Sequence, residues 1–428
     1  MFKVLDTTRI GRRLLQPAAR MLRSASAVAA LLGAASGLGM AQTAGSPDTT
    51  FGAGGIVTTT LGGSLSTLTA IEQSNGDIAV VTGFNNEGAA NPNGEVFGLV
   101  RYTSSGTLIG TTTASFFSGG ISSPSAVAVQ SNGDILVVGT AQTGIDAAQQ
   151  FGIARFKPNG QLDVTFGDGG LVTTAPSGPF PAPSAVIVQP NGQILVGGFV
   201  NGSGVHKPGQ TVVVRYNSNG SPDTTFGTGG IVEVQAGIAS PAALAQLSNG
   251  SYLALGGAGA VVEFSSTGVL QSAVTAGTLV AAIKSGSGAV LFQPNGDFVV
   301  AQAVHTGCVN CHDSAAKVSR FSETGVVDST FSSTSFTFGG NDQTQPQAIA
   351  LQSNGQIVVG GIANAQGTPV TGGLARLDSN GELDTTFASG GSLMSDQVVS
   401  GLLIQTDGKI VAIGEIDGNL AVARYLAN

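Results

Sequence analysis

Seven times along this 428-residue chain a short apolar stretch runs into Asn-Gly or Asp-Gly and emerges into a second apolar stretch. The dipeptides stand at Asn75-Gly76, Asn132-Gly133, Asn191-Gly192, Asn249-Gly250, Asn295-Gly296, Asn354-Gly355 and Asp407-Gly408, at spacings of 57, 59, 58, 46, 59 and 53 residues. Asn and Gly accept positive φ at low cost, so each pair predicts a hairpin, here with a two-residue type I′ turn. A hairpin unit that recurs at such a period cannot bury its apolar faces alone and must stack on copies of itself, in a ring or a solenoid.

Aligning the copies yields one unit. A strand such as 125–130 enters the turn, a strand such as 134–140 leaves it, and after a variable loop comes a third strand such as 151–156. A turn written Asp-x-Thr-Phe-Gly-x-Gly-Gly, as at 163–170, leads to a fourth strand at 171–174. Four antiparallel strands in a meander make a propeller blade. The near-continuous apolar runs Ala126–Val129 and Ile135–Val138 are those of sheets buried on both faces. The copy nearest the N-terminus begins with the turn and fourth strand, 48–60, whereas the last copy stops after a third strand at Arg424-Tyr425. The expectation is an all-β, seven-bladed β-propeller of four-stranded antiparallel blades, its ring closed by the N-terminal strand completing the last blade.

Charges inside the repeat covary. Arg155, Arg215, Arg320 and Arg376 each precede an Asp by eight residues, namely Asp163, Asp223, Asp328 and Asp384. The copy with Glu263 in place of Arg has Gln271 in place of Asp, and Arg101 is followed by Ile109. These pairs are expected to pin the turn after the third strand. Arg424 has no downstream Asp and Asp48 no upstream Arg, so the two are expected to meet across the closure. A Gln two residues before the turn, at positions 73, 130, 189, 293, 352 and 405, is expected to satisfy backbone groups between blades.

The pattern Leu-Asp-x-Thr-Phe-Gly-x-Gly-Gly-x-Val, then Ala-x-Gln-x-Asn/Asp-Gly-x-Ile-x-Val-x-Gly, then Arg-Tyr, resembles the delta-60 repeat of exported bacterial β-propeller proteins, over roughly residues 46–428. The stretches 107–118 and 269–278 have lost its Asp-x-Thr-Phe core. The resemblance implies an exported or cell-surface propeller and brings no catalytic residues with it.

Export is also read from the N-terminus. Six basic residues between Lys3 and Arg23 precede the apolar run 27–38, and small residues at Gly39 and Ala41 offer a cleavage point. Residues 1–41 are therefore expected to be a signal peptide, with one propeller domain over 42–428 bound for the periplasm, the cell surface or the medium. Beyond the leader, 11 basic side chains face 24 acidic ones. A net charge near −13 repels phosphate backbones, so no nucleic-acid partner is expected, and no later apolar run is long enough to span a membrane.

The only two cysteines lie in His305-Thr-Gly-Cys308-Val-Asn-Cys311-His312. Cys-x-x-Cys-His is the attachment signature of c-type haem, with Cys308 and Cys311 as thioether donors and His312 as axial ligand. Two other readings stand beside it: a Cys308–Cys311 disulfide stiffening the loop, and a metal held by His305, Cys308, Cys311 and His312. No nucleophile–base triad, phosphate loop or zincin helix is present, so no enzyme is expected. The function expected is a scaffold that binds a protein or glycan through the variable loops between second and third strands, with electron transfer by one haem c as the alternative.

Overall fold

The computed structural model describes residues 43–427 except 63–64, 86–94, 145, 202–208, 236–240, 257–259, 276–287, 306–313, 333, 341–342 and 365–369. The predicted leader lies outside the described residues. Every regular element among the described residues is a β-strand. Five sheets have four strands each, and a sixth has eight, formed by two meanders joined through one parallel bridge between Ser314 and Gln343.

One meander represents the rest. Ile121–Val129 pairs with Ile135–Gln142, that strand with Gln150–Phe156, and that with Leu171–Thr174, all antiparallel. The two middle strands are buried almost throughout, whereas the short fourth strand is half-buried. This follows from sheets stacked face to face: Leu136 and Val138 of this sheet share a core with Val196 and Val214 of the next. Burial of each such side chain contributes about 1.5–3 kcal/mol. The last sheet has the order Val398–Ile404, Ile410–Ile416, Asn419–Tyr425, Ile56–Thr59, so its outer strand comes from the opposite end of the chain. Its Phe51, Val411 and Val422 share a core with Val80, Val100 and Tyr102 of the sheet that begins at Ser66.

The Asn-Gly hairpins differ from the type I′ expectation. In each of the seven the Gly has positive φ, and the preceding Asn or Asp does not. Gly133 N donates to Gln130 O and Gln130 N to Asp134 O, both at 2.8 Å, which closes a three-residue loop: a type I turn followed by a left-handed Gly. Asn contributes through its side chain rather than its backbone, since Asn132 Oδ1 accepts from Asp134 N at 3.0 Å.

A second feature of the meanders is a β-bulge in the first strand. The ladder skips one residue between Pro124 and Ala126, Pro183 and Ala185, Pro241 and Ala243, Pro346 and Ala348, and Val399 and Gly401. The residue opposite the start of each bulge is a glycine: Gly139, Gly198, Gly256, Gly361 and Gly414. The reason is contact, because a Cβ on Gly139 would stand 2.0 Å from Ser123 O, and one on Gly361 2.0 Å from Gln345 O. Gly139→Ala is therefore expected to lower stability by about 1–3 kcal/mol, read as a shift of the urea midpoint, because the backbone at the bulge must move.

Candidate functional site

The two ends of the strands are built differently. At the end that carries the Asn-Gly turns, each Asp-x-Thr-Phe turn meets the Arg that closes the third strand of its sheet. Arg155 Nε donates to Asp163 Oδ2 at 2.8 Å, Arg215 to Asp223 at 2.7 Å, Arg320 to Asp328 at 2.7 Å and Arg376 to Asp384 at 2.8 Å. Arg424 Nε donates to Asp48 Oδ2 at 2.8 Å, and the two residues are 5% and 1% exposed. Each guanidinium also lies over the Phe of its turn, from 4.5 Å at Phe166 to 4.9 Å at Phe387.

The same arginines reach beyond their own sheet. Arg155 Nη1 donates to Ser218 O at 2.6 Å, Arg215 Nη1 to Ser266 O at 2.5 Å, Arg320 Nη1 to Ser379 O at 3.1 Å and Arg424 Nη1 to Ser104 O at 2.5 Å; Arg376 Nη1 donates to Ala427 O. The accepting carbonyls belong to the next sheet or to the chain end beside it. Arg101, with Ile109 where the turn Asp would stand, donates instead to Gln73 Oε1 and to Asn159 O, at 3.2 and 2.7 Å, and lies 3.7 Å from Asp77. Glu263 makes no such link and accepts from Ser251 Oγ at 2.8 Å. Of the recurrent glutamines, Gln73 and Gln352 donate to backbone carbonyls of the neighbouring sheet, at Pro158 and Gly408, whereas Gln405 donates to Glu72. Glu72 also accepts from Thr406 N at 2.7 Å, so this carboxylate links the first sheet to the last.

Burial alone would raise the aspartates of these turns. Around Asp163 the hydroxyl and backbone N–H of Thr165 and the Arg155 guanidinium outweigh it and hold the carboxyl below its ordinary range, and Asp48, Asp223 and Asp384 are lowered in the same way. Asp328 is held at about 2 by the Thr330 hydroxyl and N–H and by Arg320, against an ordinary 3.8. A carboxyl with a depressed folded pKa takes its proton first in the unfolded state, so its contribution is complete above about pH 4 and fades as pH falls toward about 2. The urea midpoint is expected to be level from about pH 7 to 5 and to drop steeply below about pH 4. Asp328→Asn should lower the midpoint at neutral pH and reduce that acid drop.

The opposite end carries the connections between second and third strands. They range from the two residues 417–418 to the nine of 86–94 and 201–209. Among the described residues, buried polar atoms without a partner gather here: Ser66 Oγ, Glu95 Oε1, Ser122 Oγ, Thr211 Oγ1, Gln302 Oε1, Asn364 Oδ1 and Gln397 Oε1, against Gln189 Oε1 and Gln352 Oε1 at the turn end. Burial pushes the Glu95 carboxyl up. A cavity of about 850 Å³ lies between the first strands toward this end, and the bulged residues Ser125, Gln347 and Ser400 line it. Sequence reasoning missed these residues; the recurring Gly of the second strand was their signal.

The Cys-x-x-Cys-His segment, with Cys308, Cys311 and His312, lies outside the described residues. His305 is exposed at the end of Phe298–His305 and pairs in the ladder with Ser314, so the segment is an eight-residue hairpin connection at this same end. Among the described residues no group of His, Cys, Asp and Glu could hold a metal ion, and no helix is long and apolar enough to cross a membrane.

Repeated four-stranded antiparallel meanders, stacked face to face and in five copies stapled by an Arg–Asp–Phe set, define a β-propeller repeat protein. Residues 130–166, 189–226 and 352–387 match the family model of a domain of unknown function, the DUF5122 β-propeller. Each matched segment runs from the recurrent Gln through the hairpin and the Arg to the Phe of Asp-x-Thr-Phe. Among solved structures, the chain is similar to a protein of unknown function from Bacteroides caccae, with 14% identity, a TM-score of 0.40 and coverage of 78% of this chain and 99% of that one. No curated protein matches the chain.

Proposed function

We propose that this is an exported, seven-bladed propeller closed by its N-terminal strand, acting without catalysis as a scaffold that binds a protein or glycan on its loop face. Closure is supported by the chain of neighbours: each first strand packs on the first strand of the next meander, and Ser66–Glu72 packs on Val398–Ile404. The observation that carries the function is the difference between the two ends. One repeats the same turn, staple and glutamine, whereas the other varies its connections and collects the unpartnered polar atoms. Recognition on a rigid repeat belongs where the frame is constant and the connections differ.

The test replaces residues 86–94 and 202–208 with Gly-Ser segments of equal length and measures binding to glycan arrays and to isolated envelope fractions. The reading expects binding to fall while the urea midpoint holds. Binding that survives replacement of all the long connections would overturn it. An intact mass and visible spectrum of protein exported from a haem-attaching host separates this scaffold from an electron carrier. A Soret band with one added haem mass would move the assignment to the Cys308–Cys311–His312 loop.

A further inference from the structure

The cavity between the first strands calls for an occupant of its own, independent of the variable connections. A volume of about 850 Å³ is ample for a small ligand or an inserted side chain. Its polar wall is built by repetition. The bulges at Ser125, Gln347 and Ser400 each add one residue to a first strand, and a bulge turns that residue's side chain out of the regular pleat. Leu68, Val398 and Leu402 supply aliphatic surface beside them, and among the described residues no aromatic side chain lines the cavity.

Charge selects among ligands. None of the first strands, from Ser66–Glu72 to Val398–Ile404, contains Lys, Arg or His. Among the described residues, the charged side chains lining the cavity are Glu415 and Asp417, at the shortest of the connections. Both are exposed, and among the described residues neither carboxylate has a hydrogen-bond or ion-pair partner; the Asp417 backbone carbonyl accepts from Asn419 Nδ2. Carboxylates at the mouth of a low-dielectric cleft attract cations and repel anions. Aliphatic walls fit a methylene stem, and the hydroxyl and amide oxygens of Ser125, Ser400 and Gln347 can accept hydrogen bonds from an ammonium or guanidinium group.

We infer that the axial cavity binds an amphipathic cation, an ammonium or guanidinium group on an aliphatic stem. Two sources share this chemistry, a free polyamine and a Lys or Arg side chain presented by a partner peptide. Titration calorimetry at low salt with spermidine, with a blocked Ala-Lys-Ala peptide and with citrate tests it on the full exported protein. Saturable binding of spermidine alone assigns the free polyamine, and saturable binding of the peptide assigns the side chain. In either case Glu415→Gln with Asp417→Asn should weaken binding by at least about tenfold, added salt should weaken it too, and citrate should not bind. Both substituted residues are exposed and unpaired, so the fold has no need of them; an unchanged urea midpoint confirms it. Ser400→Phe, which narrows the cavity and displaces the Ser400 hydroxyl beside Gln347, should weaken binding as a second check. The inference is overturned if neither cation binds saturably, if the double variant binds as the parent does, or if citrate binds equally. Protein with 86–94 and 202–208 replaced should keep the cation site, which separates failure here from failure of the loop-face reading.

Discussion

Arg424→Ala is expected to cost about 3–5 kcal/mol, the most of any single truncation among the paired arginines, because it strands a buried carboxylate. Asp48 is 1% exposed, and besides Arg424 its nearest cation is Lys409, 3.6 Å away. The guanidinium also holds Ser104 O in the adjoining sheet, Gln405 Oε1 and Thr50 Oγ1, and covers the Phe51 ring at 4.7 Å. Arg320→Ala provides an internal control. It removes the same Nε–Oδ2 bond, but the Arg320 and Asp328 side chains are 19% and 25% exposed, so water can solvate what is left. A loss of about 1 kcal/mol is expected there. Urea unfolding of the two variants checks the ranking; equal losses would show that burial of the pair does not matter. Asp48→Ala combined with Arg424→Ala should lose less than the sum of the two single changes.

Deleting residues 43–59 is expected to abolish cooperative unfolding. The segment supplies Ile56–Thr59 to the last sheet, and it exchanges backbone bonds with the chain end: Gly45 N with Leu426 O, Leu426 N with Ser46 O, Asp48 N with Arg424 O and Arg424 N with Gly55 O. Fully buried Phe51 would leave its core, at a cost of about 3–5 kcal/mol. Arg424 would lose its carboxylate, and Asn419–Tyr425 would become an open edge ready to pair with another molecule. Together these losses rival the whole stability of an ordinary domain, about 5–15 kcal/mol. The truncated protein should elute as aggregate, and a synthetic peptide of residues 43–61 should restore a cooperative transition. A monomeric, cooperatively folded deletion product would refute this account of the last sheet.

How far the fold can be read from residues depends on where the chemistry is local. Hairpin positions are legible because a left-handed Gly after Asn has few uses other than a turn; the turn type is not, because Asn acts through its side chain, as at Asn132. The Arg and Asp of one copy are eight residues apart and bracket a single turn, so their meeting is a local matter. The bulges were not legible from the first strand itself, where Pro-Ser-Ala and Pro-Gln-Ala look like interruptions. They show only in the neighbouring strand, where Gly139 or Gly361 has no room for a side chain. The role of Glu72 is not legible locally, because its partners Gln405 and Thr406 are more than 330 residues away.

That distance carries a consequence for how the protein is made. The strand Ile56–Thr59 must wait for its ladder partner Asn419–Tyr425, which is translated about 360 residues later. The intervening meanders can form in order, each resting on the one before. The final contact, spanning 376 residues between Asp48 and Arg424, has to be made once, late and without local assistance. Until then the chain exposes one unfinished edge, so a chaperone that recognises open strands has the interval between the two syntheses in which to act.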